Sequence, residues 1–423
     1  MITAAVWAGK TYGVYGLART GRSVVNALTA SGATVHAWDD GEAARAAWVG
    51  DLTDLHAFDL SSLDALVVSP GVPHSAPLFV AATAAGIPVI GDIELFAQAR
   101  AGLPPHKTVG ITGTNGKSTA TALIHHILAS AGTPARMGGN IGLPILSQEP
   151  LPAGGVYVLE LSSFQIEITH SLDCEVAVLL NITPDHLDRH GSVTAYAAAK
   201  AGLFEMQGPG QVAIVDRAAE EEFGILDEAE APVVEFIDDV TIGDQSAWPT
   251  LQGPHNAQNA AAATAVARAL GLDDAAIEAG LRTYPGLPHR MERIAEKHGV
   301  LFVNDSKATN PTSTAPALAA YPSIHWIAGG LAKTDDLDAC LPHLGNVRAA
   351  YLIGAAAPLF EHLLDGHTQV VQAGTLANAV TLAAAAAQAG DTVLLSPACA
   401  SYDQFKDYEA RGAAFRAAVE GLA

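Results

Sequence analysis

A glycine-rich segment followed by a lysine and two hydroxyl residues, Gly110–Thr119, is the part of the chain best suited to chemistry. It follows the β-prone pair Thr108-Val109 and precedes an apolar, helix-prone run. Glycines allow successive backbone N–H groups to point at one anion, and a helix N-terminus adds partial positive charge. Lys117 could reach the terminal phosphates of a nucleotide, and Ser118 or Thr119 could bind Mg²⁺. The pattern predicts a strand–loop–helix phosphate site, with an ordinary glycine-rich turn as the alternative.

Acidic and imidazole side chains follow two predicted strands after this segment. Glu160 stands near the end of the apolar strand 156–161, where a carboxylate is costly unless it is paired or binds metal. We favour a Mg²⁺ ligand over a capping or salt-bridged residue. The next strand, 176–182, runs into the polar segment 183–190, at the edge where parallel sheets hold ligands. His186, one loop from Glu160 in an expected neighbouring strand, is a second metal-ligand candidate.

Two polar positions on predicted helices allow alternative interpretations. Lys200 is the one cation in an alanine-rich helix, and the residues alone favour a lysine whose head reaches solvent. The alternative is a buried amine whose pKa is lowered enough to react with CO₂, giving a carbamate. Asn256 and Asn259 stand three apart at a helix start, so their amides could bind a purine edge. N-capping by Asn256 is the alternative.

The first ninety residues show a strand–turn–helix–strand pattern typical of dinucleotide-binding units. Asp39, 18 residues past Gly21, is either a ribose-binding carboxylate or merely the end of a strand. A rigid loop at 69–73 follows a third strand, where ligands bind in open α/β sheets. Ala18 occupies the middle glycine position of the turn. The predicted elements are strand 11–15, turn 16–21, helix 22–31 and strand 34–38.

Composition limits the classes of protein to consider. The chain has 423 residues, 49% hydrophobic, with 22 basic and 44 acidic residues and a formal net charge of -22. This acidity argues against a nucleic-acid or anionic-membrane surface. The three cysteines lack CxxC spacing, so we expect buried thiols in a reducing compartment. We expect no signal peptide, no membrane span and a cytoplasmic location, because the apolar run 377–389 is too short and too polar to cross a bilayer.

Proline- and glycine-rich segments at 101–105 and 284–290 suggest domain boundaries. Beyond the second boundary, strands again end in polar loops, at 304–311, 329–334 and 396–405. The fold class is therefore predicted to be α/β with three domains. We place them at residues 1–93, 94–286 and 287–423.

Together these segments resemble the Mur ligase family, ATP-dependent enzymes of peptidoglycan precursor synthesis. Gly110, one place earlier than strict P-loop spacing requires, matches the form found in that family. Segments 305–310 and 396–401 look like the branch that adds D-glutamate, since sister ligases and folylpolyglutamate synthase typically carry an Asp-x-Ala/Gly-His-x-Pro type sequence at the first of these. The resemblance covers essentially the whole chain, including Gly110–Thr119, Glu160, Pro184–Arg189, His255-Asn256 and His289-Arg290.

The resemblance implies an N-terminal Rossmann-like domain for a UDP-sugar, a central P-loop ATPase-like domain and a C-terminal Rossmann-like domain for the amino acid. ATP would phosphorylate the carboxylate of UDP-N-acetylmuramoyl-L-alanine, and the amine of D-glutamate would attack the acyl phosphate. A related Mur or folylpolyglutamate-type ligase that adds another amino acid is the alternative. A dehydrogenase or nucleotide-regulated binding protein is a competing class, prompted by the first βαβ unit. The two substrates are the partners implied, and we expect a monomer with no nucleic-acid partner and no membrane span.

The resemblance assigns roles to individual residues. The catalytic set would be Lys117, His186, Lys200 and Asn140. Two Mg²⁺ ions would be bound by Ser118, Thr119, Glu160, His186 and Lys200, the last as a carbamate. ATP would be bound by Gly113, Thr114, Asn115, Gly116, Lys117, Ser118, Thr119, Asn256, Asn259, Arg290 and Asp305. The UDP-substrate would be bound by Arg19, Thr20, Asp39, Ser69, Gly71 and Asn140, and D-glutamate by Thr309, Lys333, Ser401, Tyr402 and Tyr408. Asp40, Tyr402 and Tyr408 depart from residues common in the family.

Overall fold

The computed structural model describes residues 1–230 and 233–422. The chain divides into two compact units, one formed by Met1–Thr241 and Ala261–Gly280, the other by Ile242–Ala260 and Leu281–Ala423. Three sheets, of four, six and six strands, carry the fold. Among the described helices, none has the length and apolar character needed to cross a membrane.

The first sheet is parallel, with strand order β2-β1-β3-β4. Its apolar strands, such as Ala65–Val68, are buried on both faces, as expected when helices cover a parallel sheet. The helix after the glycine turn begins at Arg19, three residues before the predicted start. The bounds are β1 Thr11–Tyr15, α1 Arg19–Ala30, β2 Thr34–Trp38, α2 Glu42–Ala46, β3 Ala65–Val68, α3 Pro77–Ala84, β4 Val89–Ile90 and α4 Asp92–Ala99.

The second sheet is also parallel, with strand order β10-β9-β8-β5-β7-β6. The strand before the phosphate loop is longer than predicted and includes Gly110 to Thr112. Helix α10 passes from the second compact unit into the first. The bounds are β5 His106–Thr112, α5 Lys117–Ser130, β6 Ala135–Gly139, β7 Gly155–Glu160, α6 Ser163–Ile166, β8 Val176–Leu179, α7 Leu187–His190, α8 Val193–Glu205, β9 Val212–Val215, α9 Arg217–Phe223, β10 Val233–Phe236, α10 Pro254–Ala269 and α11 Asp274–Thr283.

The third sheet has strand order β11-β12-β16-β13-β14-β15, and only β11 is antiparallel to its neighbour. Because β12, β16 and β13 are adjacent and parallel, their C-terminal loops lie side by side. The bounds are β11 Glu292–Lys297, β12 Val300–Asn304, α12 Pro311–Ala319, β13 Ile324–Gly329, β14 Val347–Ile353, α13 Ala357–Leu364, β15 Gln369–Gly374, α14 Leu376–Ala386, β16 Thr392–Leu395 and α15 Tyr408–Glu420.

The first two sheets belong to one compact unit and share one hydrophobic core. Phe96 of α4 packs edge-on against Tyr157 of β7, with 4.9 Å between ring centroids. The buried carboxylate of Glu94 accepts hydrogen bonds from the backbone N–H groups of His170 (2.7 Å) and Ser171 (3.0 Å). A helix of the N-terminal part is therefore fixed to the central sheet by both apolar packing and hydrogen bonds.

Candidate active site

The phosphate loop occupies the turn between β5 and α5. Gly113 (φ 147°) and Gly116 (φ 86°) adopt backbone conformations that side chains disfavour. The Lys117 ammonium group lies over the loop and donates to the carbonyl oxygens of Gly113 and Thr114, both at 2.8 Å. Ser118 is buried and Thr119 is half-buried in the first turn of α5. The loop therefore has the shape expected of an anion-binding turn, with a lysine at its centre.

The segment after β8 fixes the phosphate loop. The backbone N–H of Asn115 donates to the Asn181 side-chain oxygen (2.9 Å), and the Asn181 amide group donates back to the Asn115 carbonyl (3.2 Å). Thr114 exchanges hydrogen bonds with the Thr183 backbone at 3.2 and 3.0 Å. Asn181 was not among the predicted site residues. Its only sequence signal was that of a polar residue near the end of the apolar strand predicted at 176–182, a strand that ends at Leu179 in the structure.

Glu160 is the last residue of β7 and is 3% exposed. One carboxylate oxygen accepts a hydrogen bond from the Asn140 side chain at 3.3 Å. The other oxygen is buried and has no hydrogen-bond partner among the described residues. The salt-bridge and capping interpretations of Glu160 therefore do not hold. A buried carboxylate oxygen without a donor is suited to a cation.

Asn140 is held beside Glu160 by the backbone. Its N–H donates to the Glu160 carbonyl at 2.8 Å. A Cβ atom on Gly139 (φ 83°) would lie 2.1 Å from that same carbonyl oxygen, so only glycine allows this approach. Gly138 and Gly139 are the last two residues of β6. Pairing with β7 extends the strand through both glycines.

Lys200 is 1% exposed, so the prediction of a lysine reaching solvent is wrong. Its ammonium group donates to the Gly113 carbonyl (2.9 Å) and to the Thr112 hydroxyl (3.3 Å). The pKa of Lys200 is lowered well below its ordinary value, first by burial and then by the Lys117 charge, while Asp185 opposes the shift. Lys117 and Lys200 thus donate to one carbonyl oxygen, an arrangement that disfavours two positive charges.

The strand that precedes His186 is not next to the strand that ends at Glu160, although the sequence analysis expected them to be neighbours. Strand β5 separates β7 from β8, so the strands leading to the two residues are not neighbours. His186 is half exposed, adopts φ 51°, and contacts the Phe164 ring at a centroid distance of 5.0 Å. Within residues 1–230 and 233–422, no group of three His, Cys, Asp or Glu side chains could hold a metal ion.

Apart from Asn140, which follows β6, the predicted UDP-substrate residues follow the C-terminal ends of β1, β2 and β3. Asp39 accepts hydrogen bonds from the backbone N–H groups of Leu17 (2.7 Å) and Gly41 (2.8 Å). The Ser69 hydroxyl donates to the Gly16 carbonyl at 3.1 Å. Asp39 therefore fixes the glycine turn as well as ending a strand. Arg19 and Gly71 are exposed, and Thr20 is half-buried.

Asp40, one of the departures from the family pattern, accepts hydrogen bonds from three side chains. These donors are the Tyr15 hydroxyl, the Trp38 indole at 2.9 Å and the His56 ring at 2.8 Å. The three hydrogen bonds and the His56 charge lower the pKa of Asp40, although burial opposes them as the largest single effect. Asp40 therefore contributes to the local structure of the first sheet.

The predicted site residues of the third sheet lie on the loops after β12, β13 and β16. They form two groups, one around Asp305 and one around Lys333. Asp305 accepts hydrogen bonds from the Ser396 hydroxyl (2.8 Å) and the Met291 backbone N–H (3.2 Å). Burial raises the pKa of Asp305 to about 7, against these hydrogen bonds and the charges of Arg290 and Arg411. Asp305 is thus fixed by Ser396 and Met291, and it lies close enough to Arg290 to interact with its charge. This proximity agrees with the prediction that both residues belong to one site.

Lys333 donates to the Thr309 hydroxyl at 3.2 Å, which brings together two of the predicted D-glutamate residues. A bridge between Leu331 and Ala400 pairs the loops after β13 and β16. Ser401, next to this bridge, is buried, whereas Tyr402 is 70% exposed. Tyr408 is the first residue of α15, and the centre of its ring lies 4.0 Å from the Lys307 ammonium nitrogen.

Asn256 and Asn259 lie within the first turns of α10, because the helix begins at Pro254. Asn256 therefore does not cap the helix. Both side chains are buried, and the Asn259 amide group donates to the Asn256 side-chain oxygen at 3.1 Å. The Asn256 amide group donates to the Gln252 carbonyl at 3.0 Å. The two amides lie on one face, as predicted, and they hydrogen-bond to each other.

Two further supporting residues were not identified from the sequence. Gln165 accepts hydrogen bonds from the backbone N–H and the hydroxyl of Ser162, forming a capping box that Ser162-x-x-Gln165 could have indicated. Arg411 of α15 is buried and donates to the Ser306 hydroxyl (3.0 Å) and carbonyl (2.8 Å). Burial lowers the pKa of Arg411 to about 10. No sequence pattern marks a buried arginine at that position.

Three protein-family models match consecutive parts of the chain. The Mur ligase MurD-like N-terminal domain matches residues 10–91, the Mur ligase middle domain 111–240, and the Mur ligase glutamate ligase domain 289–399. These matches confirm the predicted three-domain α/β fold class. The domain boundaries proposed above stay a prediction.

Full-length relatives share about half of their residues with this chain. UDP-N-acetylmuramoylalanine--D-glutamate ligase of Novosphingobium aromaticivorans is 56% identical, over 100% of this chain and 97% of the relative. The enzyme of the same name from Sphingopyxis alaskensis is 57% identical over 100% of both chains. That of Zymomonas mobilis is 52% identical, again over 100% of both.

Solved structures share the fold at low identity. UDP-N-acetylmuramate-alanine ligase MurC of Thermotoga maritima superposes with a TM-score of 0.60 and 15% identity, over 97% of this chain and 99% of that one. MurF of Acinetobacter baumannii gives 0.58 and 19%, over 97% and 91%. The family models and the relatives that are 52–57% identical confirm the resemblance drawn from the sequence motifs. The chain belongs to the Mur ligase family and is a ligase.

Proposed function

We propose that this ligase uses ATP to join D-glutamate to UDP-N-acetylmuramoyl-L-alanine, forming ADP and phosphate, in peptidoglycan precursor synthesis. The observation that carries the ATP assignment is the phosphate loop, with Lys117 donating to the Gly113 and Thr114 carbonyls. The choice of substrates is supported by the name that the 52–57% identical full-length relatives carry. The reaction would take place in the cytoplasm, in agreement with three buried free cysteines.

In the proposed reaction, the γ-phosphoryl group of ATP passes to the carboxylate of the alanyl end and ADP leaves. The amine of D-glutamate then attacks the acyl carbon, phosphate departs, and the nitrogen loses a proton to give the amide. Both steps develop negative charge on oxygen, so positioning and electrostatic stabilisation are the main requirements. Lys117 would hold the phosphates in the first step, and Asn140, beside Glu160, would position the acceptor carboxylate.

The residues fit one Mg²⁺ ion, because the unpartnered oxygen of Glu160 is buried near the phosphate loop. Ser118, Thr119 and Glu160 would hold it, together with phosphate oxygens. When bound, Mg²⁺ would neutralise charge on the phosphates. A second ion would be held by His186 and Lys200. An ammonium group cannot bind a cation, so this second site requires the carbamate of Lys200, which burial and the lowered pKa favour.

The remaining substrate residues lie on the loops of the first sheet, on α10 and on the loops of the third sheet. Arg19, Thr20, Asp39, Ser69 and Gly71 would bind the uridine diphosphate, at the ends of three adjacent strands. Asn256, Asn259, Asp305 and Arg290 would bind the adenosine and γ-phosphate. Thr309, Lys333, Ser401, Tyr402 and Tyr408 would line the D-glutamate site. The Lys333 charge, 3.2 Å from the Thr309 hydroxyl, would pair with a D-glutamate carboxylate.

The test is phosphate release by the purified chain with ATP, Mg²⁺ and UDP-N-acetylmuramoyl-L-alanine against a panel of amino acids. The panel contains D-glutamate, L-glutamate, L-alanine and a diamino acid, and a second arm replaces the acceptor with a folate. We expect release only with D-glutamate, and a product heavier by one glutamyl residue. Release that does not depend on D-glutamate, or that follows another amino acid, would overturn the proposal.

A further inference from the structure

Four side chains outside the proposed substrate and metal sets meet where the first and second sheets of the first unit adjoin. They are His74, Glu167, Arg189 and His190, called here the Glu167 cluster. His74 follows β3 of the first sheet, and the other three follow β7 and β8 of the second. The Glu167 carboxylate lies between the two histidines, with one oxygen 3.6 Å from His74 Nε2 and the other 3.6 Å from His190 Nδ1.

Three polar atoms of the Glu167 cluster are buried without a hydrogen bond within the described part of the chain, and two of them, on His74 and Glu167, lie 3.6 Å apart. His74 Nε2, Glu167 Oε2 and Arg189 Nε are buried and have no hydrogen-bond partner among the described residues. Burial lowers the pKa of His74, His190 and Arg189 and raises that of Glu167. The two distances of 3.6 Å, from Glu167 to His74 and to His190, are slightly longer than a hydrogen bond, so a small movement of the first or the second sheet could shorten them to one. Glu167 is therefore placed to respond to the position of the loop that carries His74.

That loop also reaches the predicted uridine diphosphate residues. Ser69, five residues before His74, donates to the Gly16 carbonyl in the glycine turn. A Cβ atom on Gly16 would lie 2.6 Å from the Ser69 hydroxyl oxygen, so turn and loop are tightly packed. Arg189 adds a contact from the second sheet, because its guanidinium group donates to the Val72 carbonyl at 3.4 Å.

On its other side, the cluster reaches the segment that carries His186. The Arg189 guanidinium group lies 3.7 Å from the centre of the Phe164 ring, and that ring contacts His186 edge-on at 5.0 Å. The Ser163 hydroxyl is hydrogen-bonded to His190 Nε2 at 3.0 Å. A shift of Glu167 would therefore act on His186 through the charge of Arg189, which lies over the Phe164 ring that His186 contacts.

We propose that Glu167 is a positioning residue that couples the substrate loop 69–74 to the His186 segment. This coupling would hold the carboxylate of the acceptor where it can receive the phosphoryl group. This role rests on the proposed function. Glu167 acts through His74 and Arg189, which join the two loops. Removing its charge would leave the chemistry intact but loosen the placement of the acceptor.

The test compares Glu167→Gln with Glu205→Gln, the same substitution at an exposed position of the same unit. We expect Glu167→Gln to raise the KM for the UDP-sugar acceptor about ten-fold and to leave the KM for ATP and the melting temperature at control values. His74→Asn should give the same effect, and the double variant should match either single variant, as for one coupled pair. In the ligand-free protein, amide hydrogen exchange in residues 69–76 should be faster in both single variants.

An unchanged acceptor KM in Glu167→Gln would overturn the proposal, as would additive effects in the double variant. A joint rise of every KM together with a lower melting temperature would show a merely structural residue and overturn it as well. The exchange measurement needs no substrate. If the wild-type chain fails to use the UDP-sugar, the proposed function falls, while the exchange rates still decide whether Glu167 couples the two loops.

Discussion

Replacing Glu160 with glutamine should make the ligand-free protein more stable and the enzyme inactive. The Glu160 carboxylate is 3% exposed, and one of its oxygens lacks a partner among the described residues. Leaving a buried polar group unpaired costs about 1–3 kcal/mol, and more when it is charged. Glutamine removes the charge, keeps an oxygen for the Asn140 amide, and leaves an unpaired but neutral NH₂ group with two donors. We expect a net gain of about 1 kcal/mol, or about 2 °C in Tm.

The ligand-bound state should show the opposite effect. A Mg²⁺–nucleotide complex present at 100 times its Kd stabilises a protein by about 2.7 kcal/mol. The wild type should gain this amount, and Glu160→Gln should lose most of it, because a neutral amide is a poor Mg²⁺ ligand. Melting curves with and without Mg²⁺ and a non-hydrolysable ATP analogue measure both effects. Glu205→Gln, at an exposed position, should change neither value by more than about 0.5 kcal/mol.

Two results would refute this reasoning. If ligand-free Glu160→Gln melts below the wild type, the carboxylate already has a stabilising partner and the unpaired oxygen carries no cost. If the variant keeps the full Mg²⁺-dependent shift, the cation is held by other groups and Glu160 is not its ligand. Stability that rises while nucleotide binding falls is the expected pattern for a carboxylate kept for a cation.

Three further predictions concern buried or loop-bound side chains. Lys117→Ala should lower kcat about 10²- to 10³-fold, whereas Lys107→Ala at the exposed start of β5 should change steady-state rates less than about two-fold. Lys200→Ala should lose activity and regain part of it with added acetate, because a carboxylate can replace a carbamate in the vacated space. His255, whose pKa burial lowers to about 4, should make stability fall as pH drops from 6.5 towards 4. The unfolded chain binds the proton first, so urea unfolding should show a loss of about 2 kcal/mol at pH 5 that is absent in His255→Asn.

Each of these predictions has an outcome that contradicts it. Equal losses in Lys117→Ala and Lys107→Ala would remove the special role of the phosphate loop. Full activity in Lys200→Ala would show that the lysine is structural, and inactivity that no small carboxylate rescues would argue against a carbamate. An identical pH dependence in His255→Asn and wild type would show that His255 becomes protonated in the folded protein as readily as in the unfolded chain.

Local patterns were sufficient to predict most positions at which chemistry can occur. Strands β1 and β2 have the predicted bounds, and Glu160 and the phosphate segment stand at strand ends as expected. These features depend on short-range properties, namely apolar runs, glycine turns and a polar residue directly after a strand. The pairing of Lys333 with Thr309 also agrees with their place on loops of one sheet, although their role stays a prediction.

Long-range properties could not be predicted in the same way. The placement of β5 between β7 and β8 separates His186 from Glu160, and no local pattern determines the order of strands in a sheet. The burial of Lys200 depends on the phosphate loop covering its end, so its own alanine-rich helix was misleading. Arg411 is buried because Ser306 supplies two acceptors 105 residues away. In each case the decisive contact joins distant parts of the chain.

The three cysteines have a practical consequence for measuring how the enzyme moves. Cys174, Cys340 and Cys399 have no exposed surface, and burial raises the pKa of each thiol to about 12. At pH 7.5 fewer than about one thiol in 10⁴ is then ionised, and only the thiolate reacts quickly with maleimides. We therefore expect the native cysteines to react only very slowly with maleimides. Fluorophores attached to two engineered surface cysteines would report distances between chosen positions during turnover, with no native cysteine removed.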